Sequence, residues 1–440
     1  MAFLQIKATN PNLSFLLKKN PASGLIAKEM RKGTIFGYYS DNGQTFNIYF
    51  RDAHNEISYP EYKDQEFEYV NTTRYSSAQF VLNALSELCR DSFKKRDELK
   101  DPDEVYTNIL IINMVRLDNK RTITAFIKHF AKECEISTEE IAHKYYRITL
   151  KTQKSLYYLL NLTNLFAVFT VIRNKTEYLP FDEPTVEKYF SALSVIDAPY
   201  FIRYHFKIEL LRSYKLFQKY KPLLEKSDRY LITMVHGDTV KMRMDAIENE
   251  MTFSHNIVDI GCGEGSYVWA FTKKMLKTKR YYAIDIDEDC RNSVARKVRL
   301  KELTHVQVLD SLDTFLSQEL PNEKFDFILG EVIEHMNIEE ATSLVHKCLT
   351  FDRCNSVILT TPNADFNHLY FDQDDKDLRH PDHKFEFSAD EFNEWVDSLS
   401  GSGSGSGTSN EYSVKRLKIG DRVINDIPIT LGVVFTKRMS

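Results

Sequence analysis

Apolar positions follow two regimes along this chain. From Asn256 onward, short, largely apolar runs recur at near-regular intervals: Ile257–Ile260, Tyr281–Ile286, Val306–Leu309, Phe325–Leu329 and Val357–Thr361. Runs of this length, bounded by turn residues, read as strands, although Asp259, Asp285, Gln307 and Asp326 interrupt them. Between them lie segments of helical period, such as Ser266–Leu276 and Asp289–Arg299, and Val240–Asn249 reads as a helix leading in. Strand and helix in alternation predict a parallel α/β sheet. A last pair, Tyr412–Ile419 and Thr430–Phe435, is expected to be antiparallel.

The first half mixes periods. Phe46–Phe50 alternates like a strand, and Asn55–Pro60 could pair with it. Ser76–Cys89 and Ile123–Cys134 have helical spacing, while Tyr106–Val115 fits a buried strand or a helix equally. Pro184–Leu193 looks like a helix with an early proline, and the aromatic-rich Ile202–Leu224 reads as helical. The apolar stretch Leu156–Ile172 is interrupted by Asn161, Thr163 and Asn164 and is expected in a core rather than a membrane. The period changes near residue 230. We therefore expect an α+β domain over 1–230 and an α/β domain over 231–440, in keeping with a 440-residue length. Ser400–Gly407 is strict Gly/Ser alternation, which can bury nothing and predicts a flexible loop. Its regularity suggests an engineered replacement, a native low-complexity insert being the alternative.

Composition narrows the class. Hydrophobic content of 42% with 28% charged residues is that of a globular protein, and the N-terminus shows no secretory pattern. Six scattered cysteines form no C-x-x-C pair, which argues against a zinc knuckle and points to a reducing, cytoplasmic compartment. Net charge is −5, split as +6 over residues 1–230 and −11 over the remainder. An acidic second half makes a poor groove for a long nucleic acid, so any RNA it handles should be handled at an end.

Chemistry concentrates in that acidic half. In Phe325–Met336, an apolar run is followed by Glu331, Glu334 and His335. A helix here would place all three on one face, where they could grip a divalent cation; an ordinary solvated helix start is the plainer reading. The segment Val258–Ser266 ends a strand in Asp259 and continues through Gly261, Gly263 and Gly265 into a helix. Glycines let a backbone approach a ligand closely. An acid at the strand end would repel a pyrophosphate and welcome a cationic ligand, which favours S-adenosylmethionine over a dinucleotide. Asp285, 26 residues after Asp259, is placed to bind ribose hydroxyls, with Asp287 or Asp289 as alternative helix caps. Asp310 or Ser311, ending the third strand, could meet the adenine.

Together these motifs resemble a class I (Rossmann-like) S-adenosylmethionine-dependent methyltransferase. Glu331–His335, with Thr361–Asn367 and Arg379–Phe387, further resembles the RNA 3′-terminal 2′-O-methyltransferases, the small-RNA methyltransferase family. One departure is Phe387, where that family usually has Trp. In the first half, NPNLSFLLKKNP, FAVFTVIRNKTEY and EPTVEKYF resemble the bacterial RNA-repair branch. The resemblance implies that Glu331, Glu334, His335 and His383 are metal ligands. Two imidazoles among them suit Mn²⁺ better than Mg²⁺, and the missing thiolate argues against zinc. It further implies catalytic roles for Glu331, His383 and His380, His380 as base, substrate contact or turn former. Asn363 and Arg379 would meet substrate, and Asp382 would orient a histidine. The implied substrate is an RNA 3′ end with free 2′- and 3′-hydroxyls, and the implied partner is a polynucleotide kinase–phosphatase–ligase whose sealing the first domain supports. A non-catalytic ligase-activating subunit and a small-molecule methyltransferase are the alternatives.

Overall fold

The computed structural model describes residues 3–30, 33–52, 76–93, 105–174, 183–369, 378–399 and 411–438. The chain divides into two compact units, Met1–Arg229 and Tyr230–Ser440. The Gly/Ser stretch 400–407, the segment 55–60 and part of FAVFTVIRNKTEY lie outside the described residues.

The first unit is built on a seven-stranded antiparallel sheet. Its strands are β1 (Phe3–Ala8), β2 (Ile26–Met30), β3 (Gly33–Ser40), β4 (Thr45–Asp52), β5 (Asn108–Arg116), β6 (Glu135–Ala142) and β7 (Tyr145–Thr152), in the order β2-β3-β4-β1-β5-β7-β6. The ambiguous Tyr106–Val115 stretch is strand β5, with Asn108, Leu110 and Ile112 buried in alternation. The helix Leu156–Asn174 is apolar all round and packs against the helix Ala78–Leu88 and strand β5. By length and composition it could cross a membrane, but 78% of its apolar window is buried within the unit. Such a helix is a core element.

Two first-half expectations gain detail. The helical stretch Ile202–Leu224 is divided into two helices, Tyr200–Leu210 and Tyr214–Glu225. Ser213 breaks the run, because its side chain caps the second helix by accepting from Leu216 N–H. The helix expected over Ile123–Cys134 runs Lys120–Phe130, and Cys134 directly precedes β6.

The second unit has an eight-stranded sheet. Its strands are β8 (Ile232–Thr233), β9 (Asn256–Ile260), β10 (Tyr281–Ile284), β11 (Val306–Leu309), β12 (Phe325–Gly330), β13 (Cys354–Pro362), β14 (Tyr412–Val423) and β15 (Ile427–Lys437). The order is β11-β10-β9-β12-β13-β15-β14-β8. The strands β9 to β13 are mutually parallel, and β15 and β14 add antiparallel. Alternate residues of each strand enter opposite layers. Val258, Tyr282, Phe327 and Leu359 join one core, while Ile257, Tyr281, Ile328 and Ile358 join the other. Burial on both faces is why these strands read as largely apolar runs. The sheet order reverses direction between β10-β9 and β9-β12. Ligands in open α/β sheets bind beyond the carboxyl ends of the strands at such a switch, which places the site at the ends of β9, β10, β12 and β13. Two boundaries differ from expectation. The strand Tyr281–Ile286 stops at Ile284, and the helix Ser266–Leu276 ends at Phe271.

Candidate active site and metal centre

Strand β12 ends in Gly330, and the chain then turns sharply. Glu331 takes a left-handed conformation (φ 59°), and Ile333–His335 forms one 3₁₀ turn. The helix begins only at Ile338, fixed by a capping box in which Glu340 N–H donates to Asn337 Oδ1 (2.8 Å) and Asn337 N–H to Glu340 Oε2 (3.1 Å). The expected single helix face for Glu331, Glu334 and His335 is therefore absent. A left-handed non-glycine residue is a costly conformation that clusters at functional sites.

The turn still gathers ligands. One atom each of Glu334, His335 and His383 lie within 4.8 Å of one another. The rings of His335 and His383 meet edge-on at 4.8 Å, and His380 lies 5.7 Å from His383 and 6.4 Å from His335. Glu334 is fully buried. Thr361 Oγ1 donates to its Oε2 (3.0 Å), while Oε1 has no hydrogen-bond partner among the described residues. Burial, then repulsion from Glu331, pushes the Glu334 carboxyl up to about 8. Burial, then the neighbouring His383 and His380, holds His335 below the usual imidazole value, as suits a neutral ligand. Glu331 is not in the three-residue group. Its Oε2 lies 3.3 Å from Arg243 Nη1 on the helix Thr239–Glu250, Thr360 Oγ1 donates to its Oε1 (3.4 Å), and burial raises its pKa. An orphaned, buried carboxylate oxygen beside two imidazoles fits a divalent cation, because an unpaired buried acceptor is costly unless something occupies it.

His383 is positioned by a residue that the sequence reading missed. Its Nδ1 lies 2.5 Å from Glu386 Oε1, so Nδ1 carries the proton and Nε2 is the nitrogen left for a ligand. The Glu386 side chain is fully buried and also accepts from Arg379 N–H (2.7 Å) and Asn367 Nδ2 (2.6 Å). Burial raises its pKa, but the bonds from His383, Asn367 and Arg379 outweigh that and leave it below the usual value. Asp382, expected to orient a histidine, lies against the exposed His380: its N–H donates to His380 Nδ1 (3.3 Å), and its Oδ2 lies 3.4 Å from the same atom.

Asn363 and Arg379, expected at the substrate, make their side-chain bonds within the protein. Asn363 is fully buried; its Nδ2 donates to Pro428 O (2.9 Å) and its Oδ1 accepts from Asp365 N–H (3.0 Å). The Arg379 guanidinium donates to Asn367 Oδ1 (2.7 Å), Ile429 O (2.8 Å) and Asn363 O. The Arg379 side chain thereby ties the histidine-bearing loop to the strand ends.

At the end of β9 the glycine loop is cut to fit. A Cβ on Gly261 (φ 74°) would lie 2.5 Å from Val332 Cγ2, and one on Gly265 (φ 84°) 3.0 Å from the Trp269 ring. Gly263 faces open space, where a ligand could approach its backbone. Its N–H donates to Asp285 Oδ2 (2.7 Å), and Asp287 N–H donates to Oδ1 (2.9 Å). Asp287 caps the helix Glu288–Leu300, so Asp285 is not needed there. Asp259 is fully enclosed: Tyr281 Oη donates to its Oδ2 (2.7 Å), Oδ1 has no partner, and burial raises its pKa to about 7. Ser311 caps the helix Leu312–Leu316 through Thr314 N–H, and Asp310 beside it is exposed. Ile286, which the sequence reading passed over as the end of a strand, is 91% exposed next to Asp285.

A parallel five-strand core, an antiparallel pair after it, and a glycine loop facing an acid at the switch point define a class I methyltransferase fold. Residues 257–351 match a methyltransferase domain family, and residues 3–229 match the Hen1 N-terminal domain. The second match covers more than half of the chain, which belongs to the Hen1 family. It is similar to the small RNA 2′-O-methyltransferase of Xenopus tropicalis, at 29% identity over 195 residues, 40% of this chain and 46% of that protein. The Tetrahymena thermophila protein of the same description is 39% identical over 82 residues, 18% of this chain and 19% of its own. The chain thus spans less than half the length of these curated relatives. A chain from a Pnkp1/Rnl/Hen1 RNA repair complex superposes with a TM-score of 0.81 at 26% identity, covering 99% of this chain and 100% of that one.

Proposed function

We propose that this protein transfers a methyl group from S-adenosylmethionine to the 2′-hydroxyl of the 3′-terminal nucleotide of RNA, with a divalent cation. The observation that carries the reading is the meeting of Glu334, His335 and His383 within 4.8 Å, one carboxylate oxygen unpaired, at the strand ends beside the glycine loop. Glu331 would complete the ligand set from across the same turn. Two imidazoles favour Mn²⁺ over Mg²⁺. A cation held there would lower the pKa of a sugar hydroxyl and neutralise its developing charge.

The protein's own groups do the rest. Glu386 holds His383 in the tautomer that leaves Nε2 available. His380 accepts from Asp382 N–H at Nδ1 (3.3 Å), which leaves its Nε2 carrying the proton and suits it to a substrate contact rather than to the base. Gly263 leaves space for the donor and Asp285 offers carboxylate lone pairs to a ribose. Holding acceptor and donor in line supplies much of the rate. A terminal sugar offering both hydroxyls would fill two adjacent positions on the cation, which a 3′-phosphate would obstruct. The test is transfer of labelled methyl groups to RNAs of defined 3′ end, with Mn²⁺ present. We expect label on the 2′,3′-diol RNA, little on the 3′-phosphate RNA, and none with His383→Ala. Equal labelling of both ends would contradict the reading.

We place the activity in RNA repair, in a cytoplasmic setting, with the first unit contacting a kinase–phosphatase–ligase. The match of residues 3–229 and the full-length likeness to a repair-complex chain support this. Copurification with such an enzyme, retained in Glu331→Ala and lost when residues 1–229 are removed from the host's copy, is the expected result. Copurification that persists without them would contradict it.

A further inference from the structure

Two residues outside the ligand set join the glycine loop to Glu331. Tyr267 opens the short helix that follows the loop, and its ring stacks on Phe271 (5.5 Å, 2° between planes), which in turn meets Phe253. The other side of the ring lies flush against β12: a Cβ on Gly330 would sit 2.7 Å from its Cε2 and from its hydroxyl. The Arg243 guanidinium is an electrostatic neighbour of that hydroxyl. Arg243 is largely buried, and its Nη1 reaches Glu331 Oε2 at 3.3 Å. Glu331 itself sits in the left-handed conformation immediately after Gly330. Tyr267 therefore packs against the metal-side turn at Gly330, beside the Arg243–Glu331 pair.

We infer that Tyr267 and Arg243 are positioning residues that couple the donor loop to the metal ligand Glu331, so that donor and cation bind cooperatively. This rests on the reading of Glu331 as a ligand given above. Close-packed interiors pass small displacements on rather than absorb them. A donor that seats the glycine loop also seats the helix it opens, and with it the Tyr267 ring, Gly330 and the Arg243–Glu331 pair. Thermodynamic linkage then requires the effect to run both ways.

The experiment is calorimetric titration of the full-length protein with Mn²⁺, with and without saturating S-adenosylhomocysteine, and the reverse titration. For the wild type we expect each ligand to tighten the other by about five- to tenfold, the lower end of typical coupling. Tyr267→Phe keeps the ring against Gly330 but removes the hydroxyl. It should bring the ratio to within about twofold of one while both ligands still bind. Arg243→Lys, which keeps the charge but not the fork, should do the same. Melting curves of both variants check that the fold is intact. A wild-type ratio in Tyr267→Phe, or a ratio of one in the wild type with Mn²⁺ bound, overturns the coupling alone. A wild type that binds no Mn²⁺ in either condition overturns the metal reading and the coupling with it.

Discussion

Raising the pH from 7.0 to 8.5 should tighten Mn²⁺ binding to this protein about eightfold. The cause is Glu334. Enclosed and facing Glu331, it holds its proton up to a pH of about 8. A cation can use the unpaired Oε1 only after that proton leaves. With one proton released and a pKa of about 8, the ionised fraction is about 9% at pH 7.0 and about 76% at pH 8.5, which sets the ratio. His335 is depressed by burial and by its neighbouring imidazoles, so it does not compete in this window. Calorimetry in two buffers of different ionisation enthalpy measures the released proton directly. It should find about 0.9 at pH 7.0 and about 0.2 at pH 8.5, and Glu334→Gln should remove the dependence. The metal-free protein should behave in the opposite sense. Below the ordinary glutamate value both folded and unfolded states keep the proton, and nothing is lost. Above it the unfolded chain ionises while the folded one does not, so stability falls as pH rises towards 8. An affinity that is flat from pH 7.0 to 8.5, with no proton released, would refute the reasoning.

Glu386→Gln replaces an acceptor of three bonds with a group that must turn a donor towards one of them. Mn²⁺ affinity should fall about 10- to 100-fold, the usual effect of losing a carboxylate behind a metal-binding histidine; unchanged affinity would remove Glu386 from the account. Gly261→Ala would set a Cβ 2.5 Å from Val332 in a left-handed conformation, and should cost about 2–4 kcal/mol by denaturant unfolding together with S-adenosylhomocysteine binding. In the first unit, Arg203 is completely buried and donates to Asp197 and to the carbonyls of Ala198, Leu223 and Leu224. Arg203→Met should destabilise by about 2–4 kcal/mol, because it leaves the carbonyls of Ala198, Leu223 and Leu224 without their donor and leaves the partly buried Asp197 to Arg229 and Asp228 N–H; a loss below ~1 kcal/mol would show that water takes its place.

Strands β9 to β13 were legible because burial on both faces leaves a largely apolar run, with polar loops and caps between the strands. The glycine loop was legible for a different reason: its residues answer to backbone geometry, and Gly261 and Gly265 turn out to be closed in by Val332 and Trp269. The turn after β12 was misjudged as helical although the chain carries the correct signal. Asn337 and Glu340 spell a capping box, which sets the helix start after His335 rather than before it. Glu386 was within reach too, three residues past His383 and of the charge that a metal-binding imidazole usually leans on. For Asn363 and Arg379 the sequence leaves the role open, because polar residues near a strand end can serve a ligand or the backbone. Arg243 and Tyr267 gave no local signal at all. Their partners Glu331 and Gly330 lie tens of residues away, and nothing in periodicity or spacing joins them. Ser213 is a milder case, since a serine before an amphipathic run is a readable cap that the aromatic density around it obscured.

The claim on which the account depends is that one divalent cation sits between Glu334, His335 and His383. Pulsed electron paramagnetic resonance of the protein with one equivalent of Mn²⁺ examines it without recourse to turnover. Nitrogen couplings from two imidazoles are expected, reduced to one in His383→Ala. A bound Mn²⁺ without nitrogen coupling, or a spectrum indifferent to His383, would contradict it.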